Sequence, residues 1–327
     1  MTTGKPKFAV DLTKGAQSSL AAHALLHLVD ASKTYHVQEN LRPALGIYNI
    51  SIARVCTKTQ RFCSALEQRI TGGVGIESRK ESELPTDDLV DYIELALYAA
   101  AEHVDDLKLI AENFYESDHS RNRCPAFKVF AKAIKDHKTF VATFANLIKH
   151  SQSRVRLFTL DYNHAGEVGR LHGYFVEGVD KGTICPHPVF HDSNKNVFSI
   201  TTLAWEVICF LLRCSESLRV FLSNQPLLHG PASATATPFQ DAVIAAARLP
   251  LYTFDEDHPF SQSTLNLTWD DQSWERVSSG IYGSIHNRWS HSQNMQLGNP
   301  SLAYAGDGVS RTFKITGPSR VGLQRWE

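Results

Sequence analysis

Long apolar runs are missing from this sequence. The best stretch, 203–212, is interrupted by Glu206 and falls well short of the roughly 20 apolar residues that cross a bilayer, so no membrane partner is expected. Cysteine is scarce as well: six in 327 residues (Cys56, Cys63, Cys124, Cys185, Cys209 and Cys214) are too few for a disulfide scaffold. Several lie inside apolar helical patterns, which points to reduced, buried thiols. The opening MTTGKPKFAVDLTKG holds no continuous apolar core and no small-residue cleavage signal, so no secretory leader is expected and a cytoplasmic location is the default reading. Charge of one sign is lacking overall. Thirty-three Lys and Arg against 34 Asp and Glu leave a net charge of -1, which excludes a chain that attracts polyanions as a whole.

Complete catalytic motifs are also absent. There is no Gly-x-Ser-x-Gly elbow, and the glycine-rich TGGVG at 71–75 lacks the Lys-Ser/Thr grip of a phosphate loop. His23 and His27 have the i, i+4 spacing of a metal-binding helix, but position 24 is alanine, where HExxH needs glutamate. Glu116-x-x-His119 matches half of a di-iron bundle site, with no second copy. No cofactor and no metal site are assigned on these grounds.

What remains is an ordinary globular composition, 43% hydrophobic and 20% charged, in a chain longer than the roughly 100–200 residues typical of one domain. Four helical segments are predicted before position 153. The first covers 16–35. The second opens near Asn40 as cap, with Pro43 in its first turn, and runs to the glycines at 72–75. The third follows Thr86 to about 117, and the fourth follows Pro125 to about 151. After 153 the period changes to alternation, with strands at 154–160 and 170–179 around a polar turn and a third extended piece at 183–191. An apolar helix over 200–222, a linker at 224–238 and a short helix at 239–248 come next. Short strands are expected at 263–269 and 311–316. The fold class is therefore α+β: an N-terminal antiparallel bundle (1–152), then a smaller mixed region with a β-hairpin and an aromatic-rich C-terminal arm (153–327).

The sharpest signal is a charge reversal. From 77 to 118 there are thirteen acidic residues against three basic, net -10, and from 120 to 157 nine basic against one acidic, net +8. At 100° per residue, Lys128, Lys132, Lys135, Lys138 and Lys149 share one side of the fourth helix, opposite Phe130, Ala133, Val141, Phe144 and Ile148. The row spans about 31 Å at 1.5 Å per residue and is continued by Arg154 and Arg156. Such a row suits a nucleic-acid backbone, RNA or DNA, because neutralising phosphates releases counterions whatever the sequence. The competing reading is structural. Asp87, Asp91, Glu94, Glu102, Asp105 and Glu112 share a side of the third helix, so both rows are solvated faces or screen each other across antiparallel helices. His137, at the centre of the fourth helix's apolar side, reads as a core imidazole in need of a hydrogen-bond partner.

Two further clusters carry chemical potential. His164, His172, Cys185, His187, His191 and Asp192 form the densest group of metal-capable side chains; in extended chain, however, the ends of such a segment lie too far apart for one ion. The C-terminal Trp269, Trp274, Trp289 and Trp326, with Tyr282 and Tyr304 among arginines, form a protein interface, a base-stacking surface or simply core.

The segment FANLIKHSQSRVRL slightly resembles the terminal helix of HEPN-type ribonucleases. Those carry an arginine separated from the catalytic histidine by four to six intervening residues. Here Ala145, Phe144 and Thr143 stand there before His150, so no catalytic residue is carried over. The functional expectation is a cytosolic regulatory or interaction protein that contacts nucleic acid through the basic stripe. The alternatives are a metal-dependent or HEPN-like hydrolase using 164–192, and a structural subunit of a larger complex.

Overall fold

The computed structural model describes residues 7–11, 16–17, 20–72, 86–150, 153–164, 167–180, 183–191, 198–226 and 238–249, with six further strands between 251 and 324. It is of the α+β class, dominated by helices, with a small antiparallel sheet.

Two short strands, β1 (Lys7–Asp11) and β2 (Ala16–Gln17), precede helix α1 (Ala21–Leu26). The expected helix over 16–35 is thus much shorter. The Asp30 carboxylate accepts from the Ser32 amide (3.1 Å) and hydroxyl (2.6 Å), a local turn that competes with helix hydrogen bonding, and only a single 3-10 turn (Ala31–Lys33) follows. Asn40 is not a helix cap. It sits in the left-handed region at φ 52°, which asparagine tolerates better than most residues. Helix α2 (Ala44–Gly72) starts after Pro43, whose carbonyl accepts from the Ile47 amide at 3.1 Å, and it stops where the glycines begin. Helix α3 (Thr86–Glu112) follows. A six-residue helix, α4 (Asp118–Arg123), is held by a capping box between Ser117 and Ser120, and α5 (Pro125–His150) opens on a proline suited to the first helical position.

The hairpin pairs β3 (Val155–His164) with β4 (Glu167–Asp180). The ladder continues to His164↔Glu167, so 161–164 and 167–169, expected as turn, are strand: antiparallel pairing satisfies the backbone whatever the side chains. Strand β5 (Thr183–Pro186) adds to the other edge of β4, and β6 (Phe198–Ser199) pairs with Gly173 and Tyr174.

Helix α6 (Ile200–Ser223) then enters the bundle, with 18 of its 24 residues buried; a helix apolar on nearly every side belongs inside. Phe221 is its anchor, within 5.0 Å of Phe130 and 5.7 Å of Phe114 between ring centroids. The last helix, α7 (Pro238–Ala247), lies along α2, tied by Gln60 to the Pro238 carbonyl (3.2 Å) and by Glu67 to Arg248. One apolar cluster runs from Leu20 to Leu249 through both sides of position 152.

Six strands complete the description: β7 (Leu251–Thr253), β8 (Thr264–Trp269), β9 (Gln272–Arg276), β10 (Ser301–Ala305), β11 (Ser310–Lys314) and β12 (Gly322–Gln324). β8 pairs with both β1 and β9, β10 with β11, and β12 with β7. The linker expected at 224–238 lies mostly outside the described residues, as do Tyr282, Trp289 and Trp326.

Candidate nucleic-acid interface

Helix α5 owes its orientation to two faces of unequal chemistry. Phe130, Ile134, Phe140, Val141 and Phe144 are buried and meet α6, the sheet and its following turn, with Phe144 packed edge-on to Phe190 (5.4 Å). His137 lies on this face as well, and its Nε2 meets Ser217 Oγ on α6 at 3.0 Å. Burial, reinforced by the nearby Arg213 charge, lowers its pKa to about 4 despite Asp136, so the imidazole is neutral.

The basic residues of the opposite side divide into two groups. Lys128, Lys132 and Lys135 are exposed and make no ion pair among the described residues. Lys138 is engaged: its Nζ lies 3.0 and 3.2 Å from the Asp105 carboxylate oxygens of α3, which also bind Lys108. Burial alone would raise the Asp105 carboxyl; these two ammonium groups outweigh it and hold the pKa below the ordinary range. Lys149 places its ammonium 4.5 Å from the centre of the Tyr98 ring. Arg154 is exposed, and its charge opposes the upward shift that burial and Asp91 impose on Glu94. Arg156 is elsewhere altogether: it is 3% exposed, with its Nε on the Glu177 carboxylate across the hairpin.

These contacts order themselves. Glu94 faces Arg154, Tyr98 faces Lys149, Asp105 faces Lys138 and Glu112 faces Arg121, so α3 and α5 run antiparallel, and part of each charge row screens the other. The outward-facing remainder, Lys128 to Lys135, extends about 10 Å along the helix axis.

The histidine-rich segment is used for structure. His191 is fully buried, and its Nε2 accepts the Val176 amide of β4 at 2.8 Å. The His187 amide donates to the Val176 carbonyl at 2.7 Å, and the His191 amide to the His187 carbonyl at 2.9 Å. His172 is buried on β4, Cys185 lies on β5, and Asp192 falls outside the described residues. Among the described residues no three His, Cys, Asp or Glu side chains converge as a metal site. On α1, His23 and His27 meet edge to face at 4.7 Å, but His23 Nε2 is engaged with Asn49 Oδ1 at 3.1 Å. Trp269 and Trp274 lie on the paired strands β8 and β9.

Two features have no motif to announce them. Ser51 Oγ donates to Asp106 Oδ2 (2.6 Å) and accepts from His103 Nδ1 (2.8 Å) in the interior of α2 and α3. The serine stands between acid and histidine, so the imidazole cannot act as a base on a nucleophile that the carboxylate orients through it. The other is Cys124, the residue between α4 and α5. Burial pushes its thiol up, but the Tyr115 hydroxyl and the amides of Phe127 and Ala126 outweigh that and lower its pKa.

Compared with known families, curated proteins and solved structures, the chain matches no family model, no curated protein and no solved structure. Among the described residues no helix is long and apolar enough to cross a membrane.

Proposed function

We propose that this chain is a non-enzymatic interaction protein that contacts the backbone of a nucleic acid through Lys128, Lys132 and Lys135. The observation that supports this reading is their difference from Lys138 on the same helix: three exposed ammonium groups carry no counter-charge among the described residues, whereas the fourth is neutralised by Asp105. Ammonium groups spaced four and three residues apart along a rigid helix offer phosphates a row of point charges and no base-reading geometry, so binding is sequence-independent. A regulatory role in the cytosol is the matching biological expectation.

The test is a salt titration with fluorescent single- and double-stranded RNA and DNA. Three phosphate contacts give log K against log[salt] a slope of about -2 to -3, and Lys132→Glu with Lys135→Glu weakens binding by about tenfold or more. Failure to bind any of the four probes at low salt, or binding that the double variant leaves intact, removes the proposal.

A further inference from the structure

We infer that the cleft between the C-terminal half of α2 and the first turns of α3 binds a small organic anion, a carboxylate or a phosphate ester with an attached ring. The cleft has a volume of about 450 Å³, within the roughly 300–1,000 Å³ range of small-molecule sites. Its lining is chemically uneven. Leu89, 3% exposed, and the half-buried Tyr92 ring provide an apolar surface on α3, while Thr57 and Ser64 bring hydroxyls and Arg61 a guanidinium from α2.

Arg61 carries the inference. It is exposed and makes no ion pair among the described residues, unlike Arg54 two turns earlier on the same helix, which is paired with Glu102 at 2.7 Å. Among the described lining residues Asp88 is the one carboxylate, and it lies on the α3 side. The Arg61 guanidinium thus stands in a concave site, where low-dielectric walls focus its field on an incoming anion. The planar guanidinium matches carboxylate and phosphate oxygens in a two-pronged geometry, and the hydroxyls of Thr57 and Ser64 add donors of the kind that complete such a site. Residues 57, 61, 64 and 68 fall three and four apart on α2, so one face of a single helix presents the donors together. This cleft shares no residue with the lysine row on α5, and the two proposals stand or fall separately.

The experiment is a titration of the intact protein with phenyl phosphate, benzoate and inorganic phosphate, followed by amide chemical shifts and by thermal melting. The expected result is saturable binding of at least one ring-bearing anion, with shifts confined to residues 57–69 and 88–92. Arg61→Gln is expected to weaken it by about tenfold or more, the loss of one charge-assisted contact, with the ligand-free melting temperature unchanged because the side chain is exposed. Phenyl phosphate binding above benzoate identifies the phosphate class, and the reverse order the carboxylate class. Tyr92→Ala is expected to bring phenyl phosphate down toward inorganic phosphate. No saturable binding of any probe, or equal affinity in Arg61→Gln, overturns the inference.

Discussion

Among the five cysteines whose side chains are described, Cys56, Cys63, Cys209 and Cys214 are buried and Cys124 is partly exposed. The chemistry follows the burial. Loss of solvent pushes the Cys56 thiol up to about 12 and raises Cys63 and Cys214 as well, which leaves them protonated and poorly nucleophilic. Cys124 has the opposite bias, because the Tyr115 hydroxyl and then the first amides of α5 outweigh the effect of burial and stabilise the thiolate. Iodoacetamide at neutral pH is expected to modify Cys124 first among these five in the folded protein. The four buried thiols should react at least ~100-fold more slowly, since they need local opening. Peptide mapping of a labelling time course reads this directly. Labelling of Cys56 or Cys63 as fast as Cys124 would show that the α2 core is open in solution.

Elements meet at points that single residues decide, and Gly178 of β4 is one of them. A Cβ at this position would sit 2.6 Å from the His187 Cα and 3.1 Å from Pro188 Cδ, and the first of these is backbone that cannot rotate away. The turn after β5 therefore lies on the strand only because this residue has no side chain. Gly178→Ala is expected to cost about 1–3 kcal/mol and to break the His187 amide bond to Val176. A lowered melting temperature together with faster hydrogen exchange at the His187 amide would report it; an unchanged exchange rate there would mean that the turn has room to shift.

The faces of α5 follow from period alone, since Phe130, Ile134, Val141 and Phe144 recur at helical spacing and the lysines fall opposite. An imidazole on that apolar side has to find a partner, and Ser217 supplies it. Lys138 and Arg156 belong to the basic row by sequence alone, because their carboxylates are 33 and 21 residues away and no spacing rule links them. The short α1 departs from its apolar period because residues 16–17 pair with β1 before it and the Asp30 side chain holds a local turn after it. The cleft around Arg61 is invisible in sequence for a related reason: its lining comes from two helices, α2 and α3.

The molecule as a whole buries neutral histidines, and this fixes how it responds to acid. His103 is fully buried. Its Nδ1 is committed to Ser51, and its Nε2 has no polar partner among the described residues, lying instead near the rings of Tyr48 and Phe210. A proton on that nitrogen would place a charge in apolar surroundings, so burial lowers the pKa from 6.5 to about 3. His137 is lowered to about 4 by burial and by Arg213, and His23 is lowered by burial and by the neighbouring His27. Because these pKa values are lower in the folded than in the unfolded chain, the unfolded state binds more protons below about pH 6.5, and acid favours it. Stability is complete above that pH and falls as pH drops toward the folded values. The native ion pair at Asp105 stabilises fully above the ordinary carboxylate value of 3.8 and is lost only as pH falls below it, so it adds nothing to the slope that the histidines set between pH 6.5 and 5. At pH 5 His103 and His137 together are expected to remove about 4 kcal/mol, a large part of the roughly 5–15 kcal/mol that holds a typical domain. Urea unfolding at pH 7, 6 and 5 measures the slope, and His137→Gln, which keeps a polar group toward Ser217 but does not titrate, is expected to flatten it by about half. A midpoint that does not move between pH 7 and 5 would mean that these imidazoles are reached by water, and that α6 does not seal the bundle.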